Sequence, residues 1–112
     1  MAQAAARSDV QLGAKLFRGF ADPTRLAVLA ELADGEARVT DLVSRLQGSQ
    51  GNISGHLACL KECGLVADRP AGRQVFYRIA RPEVVAVLRA AEELLAVAGY
   101  QVDLCPNYEE GR

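Results

Sequence analysis

Val10, Leu12, Leu16, Phe17 and Phe20 recur at roughly helical intervals, which predicts a helix over 9–20. Asp22-Pro23 then reads as an N-cap followed by a first helical residue with a preset φ and no need of a donor. The helix it opens turns Leu26, Leu29, Leu32 and Ala33 inward and stops at Asp34-Gly35. A short third helix is expected from Thr40 as N-cap, burying Leu42, Val43 and Leu46. After the turn Gln47-Gly48, Ser49 caps a helix running to about Cys63, with Gly64 just past its end.

A short helix, a tight Gly-containing turn and a second helix make a helix-turn-helix. Two β-prone runs follow, LVAD and RQVFYRIA, separated by a turn around Pro70 and Gly72. They predict a hairpin rimmed by Arg69, Arg73 and Arg78. Beyond Arg81-Pro82 a long helix carries Val84, Val87, Leu88, Ala91, Leu94, Leu95 and Ala98. That stripe is wide for so small a domain and reads better as a dimer seam than as core alone. The tail YQVDLCPNYEEGR has no periodicity. The expected fold is therefore mainly α with a small β-hairpin, a dimeric winged helix-turn-helix. Residues 1–98 would form the DNA-binding and dimerisation domain and 99–112 a tail.

Charge changes this picture more than composition does. The chain has 112 residues and a net charge of −1, but residues 38–81 carry +4 and the remainder −5. A basic middle between acidic flanks suggests one surface facing an anionic partner. On a helical wheel Ile53, Leu57 and Leu60 define the packed face of the second helix of the motif. Gly51, Ser54, Gly55 and Ala58 point away, and Gln50 lies at the edge in the first turn. Small and polar residues near a helix N-terminus suit entry into a DNA major groove. Gln50 can pair bidentately with adenine and Ser54 with several bases, Ser49 stands beside them, and Arg69, Arg73 and Arg78 would sit on phosphates.

Double-stranded operator DNA is thus the expected partner. The start MAQAAARSDV has no long apolar run after its arginine, and nowhere do about 18 apolar residues follow one another. Neither secretion nor a membrane is expected, and the three cysteines fit a reducing cytoplasm better than a disulfide framework.

Cys59 and Cys63 are four residues apart, about 40° around the helix and about 6 Å along it. Side chains so placed can share one metal ion, while buried structural thiols and a redox or persulfide switch remain open on spacing alone. The stretches ADPTRLAVLAEL, VTDLVSRL, SQGNISGHLACLKECGLV and GRQVFYRI together resemble the ArsR/SmtB family of small winged-helix repressors. The resemblance covers residues 10 to about 98. It implies a homodimer built on the first and last helices, bound to a palindromic operator and released by a metal or another inducer.

Two of the family's usual metal positions are missing, since Arg38, Val39 and Thr40 occupy one and the last helix has no His. The thiols are instead similar to those of a cadmium- and lead-sensing branch. This implies Cys59 and Cys63 as helix ligands and Cys105 as the tail ligand, with Cd(II) or Pb(II) as inducer; with no His or carboxylate cluster to suggest a zinc site, Zn(II) is the less expected ion. His56 is read as a helix-flank residue rather than a fourth ligand, and Asp103 could add an oxygen. Tyr77 is expected to pack in the wing strand; Tyr100, Tyr108, Glu109 and Glu110 receive no role in the site. A scavenger without a gene target would have no use for the basic hairpin. An enzyme is the least expected class, since the sole His has no acid partner at readable spacing and there is no phosphate loop or Ser/His/Asp set.

Overall fold

The computed structural model describes residues 2–106. In chain order the elements are α1 (Ala2–Ala21), α2 (Pro23–Ala33), β1 (Ala37–Arg38), α3 (Val39–Leu46), α4 (Gln50–Glu62), β2 (Val66–Ala71), β3 (Gln74–Ile79) and α5 (Pro82–Val97). Tyr108, Glu109 and Glu110 lie outside the described residues.

The α1 helix starts earlier than its apolar spacing predicts, because the alanine-rich lead-in also favours a helix. The Asp22 carboxylate caps α2 by accepting from the amides of Thr24 and Arg25 at 2.9 and 3.1 Å. The backbone amide of Arg25 above all holds that carboxyl below its ordinary pKa.

The start of α3 differs from expectation. Thr40 lies inside the helix, whose N-cap is Arg38. Asp41 reaches back to accept from the Arg38 amide at 2.9 Å and from its guanidinium at 2.8 and 3.0 Å. That pairing, with Arg38 the donor throughout, displaces the cap by two residues. Gln47 ends α3 in the left-handed region, φ 55°, and so makes the turn of the motif.

α4 follows the sequence closely. The Ser49 hydroxyl accepts from the Asn52 amide at 3.1 Å. At the other end Gly64 takes φ 77°, and the Leu65 amide returns to the Leu60 carbonyl at 3.0 Å, closing a Schellman motif.

The hairpin has a third strand that no alternation announces. β1 pairs antiparallel with β3 through Ala37–Tyr77 and Arg38–Phe76, giving the order β1-β3-β2. The β2–β3 register runs from Val66–Ile79 to Ala71–Gln74. Pro70 and Ala71 therefore lie in the strand, and the turn consists of Gly72 and Arg73, with Gly72 at φ 65°.

The core gathers Val28, Leu29 and Leu32 of α2, Leu42 of α3, Ile53, Leu57 and Leu60 of α4, and Val84, Val85 and Leu88 of α5. Gly19 lets α1 approach it closely, since a Cβ there would stand 2.6 Å from Leu65 Cδ1. Outside that core several large apolar side chains of α1 and α5 are uncovered. Phe17 is 63% exposed, Leu94 73% and Val97 87%, with Val10 and Leu12 also exposed. Of the α5 stripe read as a dimer seam, Leu94, Leu95 and Ala98 face solvent within one chain while Val84 and Leu88 are buried, and Val85, outside the stripe, joins them in the core. Among the described residues no helix is long and apolar enough to cross a membrane.

Candidate nucleic-acid interface and thiol site

Three fully buried side chains, Ile53, Leu57 and Leu60, fix the rotation of α4. That rotation leaves Ser49, Gln50, Gly51, Ser54, Gly55 and Ala58 exposed. Gly51 and Gly55 are informative because the fold does not require them. An added Cβ at either position would meet nothing within 4 Å, and neither has a positive φ. Each glycine inside a helix costs about 1 kcal/mol relative to alanine. Two on the open side of one helix fit a surface that another molecule must approach closely. A groove beside them joins Gln50 to Thr40 of α3 and to Arg73, Gln74 and Tyr77 of the wing. Thr40 and Gln74 were absent from the sequence-based set. Gln74 was in principle visible, because it neighbours Arg73 at the hairpin tip.

The wing arginines are not equivalent. Arg73 stands exposed at the turn, within that groove. Arg69 faces the other side of the sheet, where it donates to both Glu36 oxygens at 2.9 Å and lies 5.0 Å from the centre of the Phe76 ring. Arg78 is exposed near Glu36 and adds to the field that, after the Arg69 hydrogen bond, holds the Glu36 carboxyl below its ordinary pKa. Of the three expected phosphate contacts, Arg73 is thus the one placed beside α4. Arg69 has its Nε and Nη2 on Glu36, so a phosphate there would meet a guanidinium whose charge is already paired.

Cys59 and Cys63 are half-buried on the flank of α4. Burial, and next the neighbouring Cys59, push the Cys63 thiol above its ordinary pKa. Cys63 borders a cleft lined by Leu16, Phe20, Leu65, Val84 and Val87. Lys61, the nearest cation in sequence, is engaged with Asp68 at 2.9 Å. His56 turns away from the thiols towards α2, with Nδ1 3.5 Å from Arg25 Nη1 and Nε2 3.8 Å from Asp22 Oδ2.

Cys105 does not join the pair. It is 1% exposed within the hydrophobic core, and burial raises its pKa as well. Among the described residues no group of three or more His, Cys, Asp or Glu side chains could hold one metal ion. Two thiols suit a soft ion, and the third stands elsewhere in the same chain. Asp103 is bound to Arg89 at 3.3 Å and forms no such group with the thiols.

Residues 22–68, which contain the helix-turn-helix and the start of the wing, match the bacterial regulatory proteins of the arsR family. A probable mercury resistance operon repressor of Streptomyces lividans is 36% identical over 92 residues, 82% of this chain and 74% of that protein. The chain belongs to the ArsR family. The transcriptional regulator CmtR of Mycobacterium tuberculosis is 42% identical over 84 residues, covering 75% of this chain and 69% of CmtR.

Among solved structures, HlyU from Vibrio cholerae matches with TM-score 0.70 and 35% identity, over 79% of this chain and 96% of HlyU. A homodimeric winged helix-turn-helix DNA-binding domain from Mycobacterium bovis matches with TM-score 0.72 and 28% identity, over 87% and 94%. This ArsR-family chain is accordingly a DNA-binding transcriptional regulator with a winged helix-turn-helix, and not an enzyme.

Proposed function

We propose that this regulator is a metal-responsive repressor that binds operator DNA as a homodimer and is released by Cd(II) or Pb(II) held by cysteine thiolates. The observation that carries the reading is the placement of Cys59 and Cys63. They lie side by side on α4, the helix whose N-terminal half presents Gln50, Gly51, Ser54 and Gly55. An ion held there acts on the element that reads DNA.

Residues 1–98 supply the DNA-binding and dimerisation unit, and 99–112 the tail that brings the third thiol. The uncovered apolar faces of α1 and α5 support the dimer, since Phe17, Leu94 and Val97 gain cover only from another surface. Gln50 and Ser54 read base edges, while Ser49, the two glycines and Arg73 set the approach to the backbone, with Arg69 and Arg78 further along the wing. Because Cys105 forms no ligand group with the pair within one protomer, it completes the set by leaving its place, to reach its own or the partner's helix.

Three thiolates on a divalent ion carry net negative charge beside the DNA-facing surface and repel phosphate. This couples metal to DNA with opposite sign, by about 1–3 kcal/mol. Relatives named for mercury and arsenical resistance support a soft ion, and three thiols alone leave Zn(II) short of the four ligands it usually takes. Free thiols fit a reducing cytoplasm. A redox switch is disfavoured by the raised Cys63 pKa and by Lys61 being committed to Asp68.

The test is titration of Cd(II), Pb(II) and Zn(II) into the full chain and into Cys59→Ser, Cys63→Ser and Cys105→Ser, followed by operator binding. Either helix substitution should abolish tight binding; Cys105→Ser should weaken it and uncouple it from release. An operator complex indifferent to Cd(II) ends the metal reading.

A further inference from the structure

The tail is fastened to α5 by groups that neither the fold nor the DNA surface accounts for. Gly99, at φ 103°, turns the chain back along the helix. The Glu92 carboxylate, with only 13% of its side chain exposed, accepts from the Leu104 amide. One turn earlier, Arg89 donates to Glu92 at 3.0 Å, to Asp103 at 3.3 Å and to the Cys105 carbonyl at 2.8 Å. These contacts hold the Cys105 side chain in the core, while Cys59 and Cys63 stay half-exposed beside each other.

From this geometry we infer that Arg89 and Glu92 are specificity-determining residues of the sensor: by holding Cys105 against α5 they offer an incoming ion two thiols at once, and the third only when the tail lets go. The inference rests on the metal-sensing reading above. An ion content with two thiolates in a line, as Hg(II) is, binds Cys59 and Cys63 without disturbing the tail. An ion that takes three or more, as Cd(II) and Pb(II) do, spends part of its binding free energy on opening. The apparent affinity of such an ion falls by the fraction of molecules whose tail is free. A part-buried carboxylate with an amide and a guanidinium on it makes that fraction small, since parting them leaves buried polar groups unpaired. Arg89 and Glu92 need touch no metal to act in this way; they are positioning residues.

The experiment uses the full chain, with Arg89→Gln, Glu92→Gln and, as a control for charge, Glu93→Gln at the exposed neighbouring position. Alkylation of each cysteine by iodoacetamide, followed by peptide mass spectrometry without metal, reads the tail alone. Cys105 should react far more slowly than Cys59 in the parent and about tenfold faster in both tail variants, with Glu93→Gln unchanged. Competition titrations should then show Cd(II) binding about tenfold tighter in both variants and Hg(II) binding within about twofold of the parent.

If either variant fails to fold by circular dichroism, Arg89→Lys replaces it, keeping the charge and losing the bridge. Alkylation of Cys105 at the rate of Cys59 in the parent overturns the inference, as does an equal gain for both ions. If the alkylation pattern holds while Cys105→Ser leaves Cd(II) affinity unchanged, the three-thiol reading fails and takes the specificity role with it. The fastened tail itself would stand.

Discussion

Glu36, in the turn before β1, accepts both of its 2.9 Å hydrogen bonds from Arg69 of β2. The pair joins the end of α2 to the wing and neutralises one of the arginines expected on DNA. Because it is exposed, its own contribution to stability is small.

Glu36→Gln should therefore leave the melting temperature within about 2 °C while tightening operator binding a few-fold at low salt, by removing a negative charge and releasing Arg69. Arg73→Ala should weaken binding to all sequences alike and reduce the slope of log K against log salt by about 1. Fluorescence anisotropy across a salt series measures both. An unchanged slope in Arg73→Ala would remove the hairpin tip from the phosphates.

Gly51→Ala and Gly55→Ala separate folding from function. Nothing in the protein stands within 4 Å of a Cβ at either position, so each change should stabilise the chain by up to about 1 kcal/mol in urea unfolding. The same methyl groups face the expected groove floor and should weaken operator binding by about tenfold or more. Stabilised variants with undiminished DNA affinity would show that this face of α4 stays clear of the bases.

Proton competition should govern metal affinity. Burial and Cys59 raise the Cys63 pKa, and burial raises that of Cys105, so both thiols are protonated at neutral pH and must lose a proton to bind. Affinity for Cd(II) is then greatest at alkaline pH. It falls with acid by about tenfold per pH unit for each proton displaced. Competition titrations between about pH 6 and about pH 8 should show at least a hundredfold change. A flat profile would mean that the ligands are not these thiols.

The motif was legible because local signals agreed with tertiary packing. Ile53, Leu57 and Leu60 recur with the helical period, and Ser49 and Gly64 mark both ends of α4, so its orientation followed directly from the sequence. What escaped notice lacked a period. β1 is two residues long and exists only because β3 offers it an edge. The start of α3 was set by Asp41 folding back on Arg38, a contact that competed with the more familiar Thr40 cap. The apolar stripe of α5 was visible, but the share buried within one chain was not, because spacing does not say which neighbour covers a side chain. The Cys105 thiol lies in a tail without pattern, and the tail is held by Arg89 and Glu92, residues whose spacing on α5 does not announce a partner in the tail. Spacing singled out Cys59 and Cys63 and the family resemblance Cys105, while the fastening of the tail to α5 became visible only in three dimensions.

The side chains of Ile53, Leu57 and Leu60 make α4 a rigid rod resting on a fulcrum. Cys59 and Gln50 sit on either side of its middle, nine residues and so about 13 Å apart along the axis. Tilting such a rod by about 5° displaces one end relative to the other by about 1 Å. A hydrogen bond to a base edge tolerates only a few tenths of an ångström before it weakens steeply. On the proposed reading, an ion at the thiols would need no large rearrangement to be felt at the DNA; leverage along a single helix would be enough.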